Sequence, residues 1–190
     1  MACDLSLGRK EPCKDVVGGI KAVYFADFGD FSTIVYNSTD KDVIDTLGSG
    51  LTVLQYDVKG NSSFEQNITS SRENGTTFFE QTLNLTLHKL TKEDNKELKL
   101  MAYGRPHIIV EDYNSNLFVM GLQHGADVSG GTIVTGAAMG DLSGYTLTFT
   151  GMEKVPANFL ENTITDGVPT APSTQLSDAG ISTITPGTNS

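Results

Sequence analysis

The chain reads as a mainly β protein: a β-sandwich or partial barrel with one long hairpin and one flanking α-helix. Three observations lead there. Apolar and polar residues alternate along most of the apolar stretches, the period of a half-buried strand. A sustained helical period occurs once, between Thr91 and Tyr103. Turn residues punctuate the rest, and a hydrophobic content of 38% is enough for a packed core.

In chain order, residues 1–18 are mostly polar and read as an N-terminal arm closed by Val16-Val17-Gly18-Gly19. Ile20 to Phe28 is apolar on both parities, which suits a strand in the middle of a sheet. Ile34-Val35-Tyr36 is a second short strand, and Asp40 to Leu47 a turn or a single helical turn. From Leu54 to Leu87 the parity is sustained. Leu54, Tyr56, Val58, Phe64 and Ile68 oppose Asp57, Lys59, Ser63, Glu65, Asn67 and Thr69 on the way out. Leu83, Leu85 and Leu87 oppose Glu80, Thr82, Asn84 and Thr86 on the return. Glu73-Asn74-Gly75 joins the two, and Asn-Gly supplies the two positive φ values of a tight hairpin. A ribbon that long either curls over a large core or projects towards another subunit.

Thr91 fits an N-cap, with Glu93 and Asp94 in the positive first turn. Leu98, Met101 and Ala102, continued back to Leu90, form the buried stripe, and Gly104 and Pro106 end the helix. Ile108–Val110 and Leu117–Met120 form a second hairpin around Asn114-Ser115-Asn116. Residues 126–144 are rich in Gly, Ala, Ser and Thr around Ile133-Val134, and 145–150 alternates as a strand. The apolar period fades after Pro156. The expected organisation is therefore an arm (1–18), one β domain (19–160) and a flexible Thr/Ser/Pro/Gly-rich tail (161–190), or a tail ordered only by a partner.

The net charge of −10 is uneven. Residues 22–88 hold three bases against nine acids, and 106–190 one base against eight; 89–105 reverses the sign with five against three. A body this acidic will not grip nucleic acid, whose affinity comes from Lys and Arg on phosphates, but it lets DNA pass without adhesion. No run reaches the length of a membrane span, and the first residues lack an apolar signal core, so folding in a cytoplasm is expected.

Cys3 and Cys13 have no partner pair at zinc spacing and read as incidental thiols. Five Asn-x-Ser/Thr sequons, at Asn37, Asn61, Asn67, Asn74 and Asn84, reflect Asn/Thr-rich turns and strand faces. Asp40, Asp42 and Asp45 lack the glycine and distal glutamate of a calcium loop. His88, His107 and His124 read as strand-end residues, and neither a nucleophile elbow nor a phosphate-cradling loop occurs. No catalytic residue, cofactor or metal is expected. The polar hairpin face, with Glu65, Asn67, Glu80 and Asn84, is either ordinary solvated surface or the lining of a lumen formed when copies pair edge to edge.

Several stretches together carry a resemblance: residues 2–13 and 18–25, Phe79-Glu-Gln-Thr-Leu83, 107–114, and 135–151 with 155–159. In this order they resemble structural proteins of tailed bacteriophages of Bacteroides-type hosts, the crAss-like group, similar in architecture to tail tube proteins. The resemblance covers most of residues 2–160. It implies a virion structural protein, assembled in the host cytoplasm as rings of six or twelve copies. The rings stack as a tail tube or sit below the portal as a tail barrel, in contact with other tail or portal-proximal proteins. They would conduct the genome at ejection, with no membrane involved. The competing expectation is a carbohydrate-binding or adhesin-type β-sandwich on a virion fibre. Against that stand the absence of tryptophan and the scatter of the six tyrosines.

Overall fold

The computed structural model describes residues 8–9, 14, 16–161, 164–165 and 168–187. Its strands are β1 (Ile20–Ala26), β2 (Val35–Tyr36), β3 (Val43–Thr46), β4 (Leu51–Asp57), β5 (Ser63–Ser71), β6 (Thr76–His88), β7 (His107–Asp112), β8 (Leu117–Met120), β9 (Asp127–Val134), β10 (Gly144–Glu153), β11 (Asn158–Leu160), β12 (Ile164–Thr165), β13 (Val168–Pro169) and β14 (Ile181–Pro186). Two helices, α1 (Lys92–Tyr103) and α2 (Pro172–Asp178), complete it. The protein is mainly β, a sandwich with flanking helices. One sheet has eight strands in the order β14-β4-β1-β7-β8-β11-β3-β2, and the other has four in the order β5-β6-β10-β9.

In the middle of the eight-stranded sheet β1 is buried on both faces at every residue but Lys21, which is why it has no polar parity. Val23, Phe25, Ile108, Val110 and Met120 face the smaller sheet, meeting Leu83, Leu85, Tyr145 and Phe149, with Leu98 and Met101 of α1 closing the layer. Phe25 and Phe149 lie 5.4 Å apart between the sheets. On the other face Ala22, Tyr24, Val53, Ile109, Leu117, Val119 and Ile44 surround a second core that takes in Leu160, Leu176, Ala179 and Ile181. The end of β3 and the turn before β14 meet over this core. Leu47 N donates to Ala179 O, and Thr46 Oγ1 to the same carbonyl. Of the two expected alternatives, the arrangement is the sandwich.

The N-cap of α1 forms as its residues dictate, Thr91 Oγ1 accepting from Asp94 N at 3.0 Å. Thr91→Ala is expected to cost about 1 kcal/mol, read as a lower midpoint in urea unfolding. The helix packs over β4: burial pushes the Tyr56 hydroxyl up to about 12, helped by the nearby charges of Glu97 and Asp94. Ala102, expected in the buried stripe, is exposed. Gly104 caps the helix with φ −95 rather than in a left-handed turn.

Three further expectations change. The Leu54–Leu87 ribbon is not one hairpin: β4 belongs to the large sheet and β5 to the small one. The chain crosses between them at Gly60 and Asn61, both at positive φ. The true hairpin is β5–β6, with Ser71 opposite Thr76 and a four-residue loop in which only Gly75 has positive φ. Asp40–Leu47 contains a strand, β3, pairing with β2 and β11.

The expected flexible tail (161–190) differs most. Helix α2 starts with Pro172 in its first turn, Leu176 is fully buried, and β14 adds to β4 as a parallel edge strand. Leu176, Ala179 and Ile181 sufficed because they fill places in a core already built by others. Most of the expected arm 1–18, including Cys3 and Cys13, lies outside the described residues.

Candidate functional site

The four-stranded sheet turns one face to the core and one to solvent. Inward, Gln81 and Glu153 are almost wholly buried. Gln81 Oε1 accepts from Gly121 N at 3.0 Å. Glu153 Oε1 accepts from Gln123 N and His124 N, both at 2.9 Å, and Oε2 faces His124 Nδ1 at 3.0 Å. These two side chains tie the β8–β9 connection to the sheet; a buried carboxylate needs such donors.

Outward, the register brings the four expected lining residues together. Asn67 stands opposite Glu80, Glu65 opposite Thr82, and Ser63 opposite Asn84. Across β6, Thr82, Asn84 and Thr86 meet Thr150, Thr148 and Thr146 of β10. Sequence reading missed the β9 and β10 half of this wall. The alternation of 145–150 showed a strand, but only the long-range pairing shows that its threonines share a face with Asn84.

The hydroxyls bond mainly to one another. Thr148 Oγ1 donates to Asn84 Oδ1 at 3.0 Å; Thr132 and Thr146 meet at 2.6 Å, and Ser129 and Thr150 at 2.9 Å. Each polar group engaged sideways is one fewer available to a passing solute. Charge on this face comes from Glu65, Glu80 and Asp127, and the four strands contain no lysine or arginine. Glu65 and Asn67 are exposed, Glu80 and Asn84 half-buried.

Among the described residues no strand pairs with the outer side of β5 or of β9. β5 and β9 span nine and eight residues without a lysine or proline, the usual devices that block edge pairing. The large sheet ends differently, in the two-residue β2 and in β14 with Pro186 as its last residue. Exposed isoleucines stand on both open edges, Ile68 on β5 (68% exposed) and Ile133 on β9 (60%).

The edges are also staggered. β5 pairs beside positions 76–84 of β6, while β9, through β10, lies level with positions 82–88, so their centres differ by five residues. Five residues are about 17 Å along a strand and four strands about 19 Å across; repeating that offset tilts strands by about 40°, within the range of closed barrels.

Elsewhere the site chemistry is sparse. Asp40, Asp42 and Asp45 do not converge on a common centre: Asp40 Oδ1 accepts from Asp42 N, and Asn37 Nδ2 bridges Asp45 and Glu161. Among the described residues no group of three His, Cys, Asp or Glu side chains is placed to hold a metal. His88 ends β6, His107 is buried between two phenylalanines, and His124 faces Glu153. Among the described residues no helix is long and apolar enough to cross a membrane. Comparison with family models, with curated proteins and with solved structures finds no match.

Proposed function

We propose that the protein is a ring-forming structural subunit of a phage tail tube or tail barrel, whose four-stranded sheets join edge to edge around a bore. The observation that carries this reading is the sheet itself: a wet face free of lysine and arginine, bounded by two long, unblocked edges. All its strands are antiparallel, so β9 of one copy meets β5 of the next antiparallel as well. Such a heterologous contact closes into a ring when the tilt allows.

Six copies at the observed stagger give a barrel about 50 Å across, broad enough to pass a DNA duplex once side chains fill its margin. Twelve copies double the diameter, so the geometry favours six. The phosphates meet Glu65, Glu80 and Asp127 from every copy, and the summed field of like charge opposes adhesion. A sugar-binding module needs aromatic platforms, and the strand residues of this face supply one aromatic ring, Phe78. Neighbouring tail or portal-proximal proteins would take the ends of the ring.

Glu65→Lys with Glu80→Lys is expected to leave ring assembly intact and to slow genome delivery, because cations then hold the passing phosphates. Particle assembly and DNA ejection rates measure this. Unchanged ejection from normally assembled particles would remove these residues from the bore.

A further inference from the structure

His107 opens β7 and is 3% exposed. Its ring lies between Phe28 and Phe31, at centroid distances of 5.1 and 4.4 Å, and the Arg105 guanidinium covers the Phe28 ring at 3.9 Å. Both ring nitrogens are committed to backbone groups. Nδ1 lies 2.7 Å from Gly121 O, which only accepts, so Nδ1 carries the proton. Nε2 lies 3.2 Å from Gly29 N, whose N–H only donates, so Nε2 must present its lone pair. The site therefore admits one form of the ring, the neutral imidazole protonated at Nδ1.

We propose that His107 is an acid-released latch: a proton on Nε2 expels the Gly29 N–H and frees the β1–β2 loop, residues 27–34, from the end of the sandwich. Phe28 and Arg105 wall a groove of about 360 Å³ whose lining includes Phe25, Leu54, Leu100 and Met101. Asp27, Asp30, Glu97 and Arg105 line it as well, so release of the loop opens a groove with an apolar floor and a charged rim. The latch stands on these contacts alone and does not depend on ring formation.

The charges that act on the ring come from three elements: Asp30 on the loop itself, Arg105 before β7 and Glu153 on β10. Burial pushes the imidazole below its ordinary range; the Gly121 carbonyl, Glu153 and Asp30 pull the other way, and Arg105 adds to the lowering. Above about pH 6.5 the folded and unfolded rings are both neutral and the latch contributes in full. As pH falls from there through the lower folded value, the released ring gains a proton that the latched ring refuses. The latch is lost over that window, and the loss levels off below it.

The chain contains no tryptophan, so Phe28→Trp installs a single reporter on the loop. Acrylamide quenching of that indole is expected to rise as pH drops below about 6.5, the open population growing about tenfold per pH unit until the folded value is reached. The near-ultraviolet dichroism of the tyrosines should stay unchanged. Adding His107→Phe should make quenching independent of pH, while His124→Gln should leave the rise in place. A flat profile overturns the latch, as does a rise that survives His107→Phe or coincides with loss of the tyrosine signal. In the unsubstituted chain, NMR provides a second reading. The His107 ring should titrate below pH 6.5 and the Gly29 amide resonance should move in step with its titration. Independent movement of the two also overturns the proposal.

Discussion

Ile133→Lys, or Ile68→Lys on the opposite edge, is expected to reduce the proposed ring to monomers without loosening the subunit. Both isoleucines are exposed on a strand that has no neighbour on its outer side in the sheet order. A surface substitution there should change subunit stability by within about 0.5 kcal/mol. Lysine at a sheet edge is the device by which β proteins refuse further strands, because pairing would bury a charge beside the incoming backbone. Light scattering after size exclusion reports the mass and thermal melting reports the fold. Both variants assembling like the parent protein would mean that the joint lies elsewhere.

Leu176→Ala should have the largest effect on stability, about 2–5 kcal/mol. Leu176 is fully buried in the second core and is, with Gln175, what α2 contributes there. The cavity would open under the element that carries the chain into β14, so that strand should exchange its amide hydrogens early. Hydrogen exchange at Ile184 and Thr185, whose register partners are Val53 and Leu54, follows the loss. A loss well below this range, with β14 still protected, would mean that the C-terminal segment is held by its strand pairing alone.

The parts legible in the sequence were those decided by neighbours along the chain. Thr91 and Asp94 announce a helix start through a bond three residues long, and the 108–120 hairpin closes around Asn114-Ser115-Asn116. The alternation of β10 is equally local. The wet parity of Glu65, Asn67, Glu80 and Asn84 was readable for the same reason: a strand's period fixes which residues share a face, whatever pairs with it.

What stayed hidden depends on distant partners. Parity runs unbroken through Val58, so nothing in the period shows that β4 and β5 lie in different sheets. Gly60-Asn61 was the local signal, a pair of turn residues inside an apparent strand. Leu176, Ala179 and Ile181 looked like stray aliphatics in a polar tail because a seven-residue helix and one edge strand have no period long enough to read. Their burial is set by Leu47, Leu51 and Val53, more than a hundred residues earlier. The other half of the polar wall, Thr146, Thr148 and Thr150, needed the register with β6.

The most direct test is a three-dimensional reconstruction of the assembled particle by electron cryomicroscopy. The account predicts a closed ring in which β9 of each copy pairs with β5 of the next and Glu65 and Glu80 point at the symmetry axis. Density that places these two carboxylates on the outer wall, or copies that form no closed ring, would contradict it.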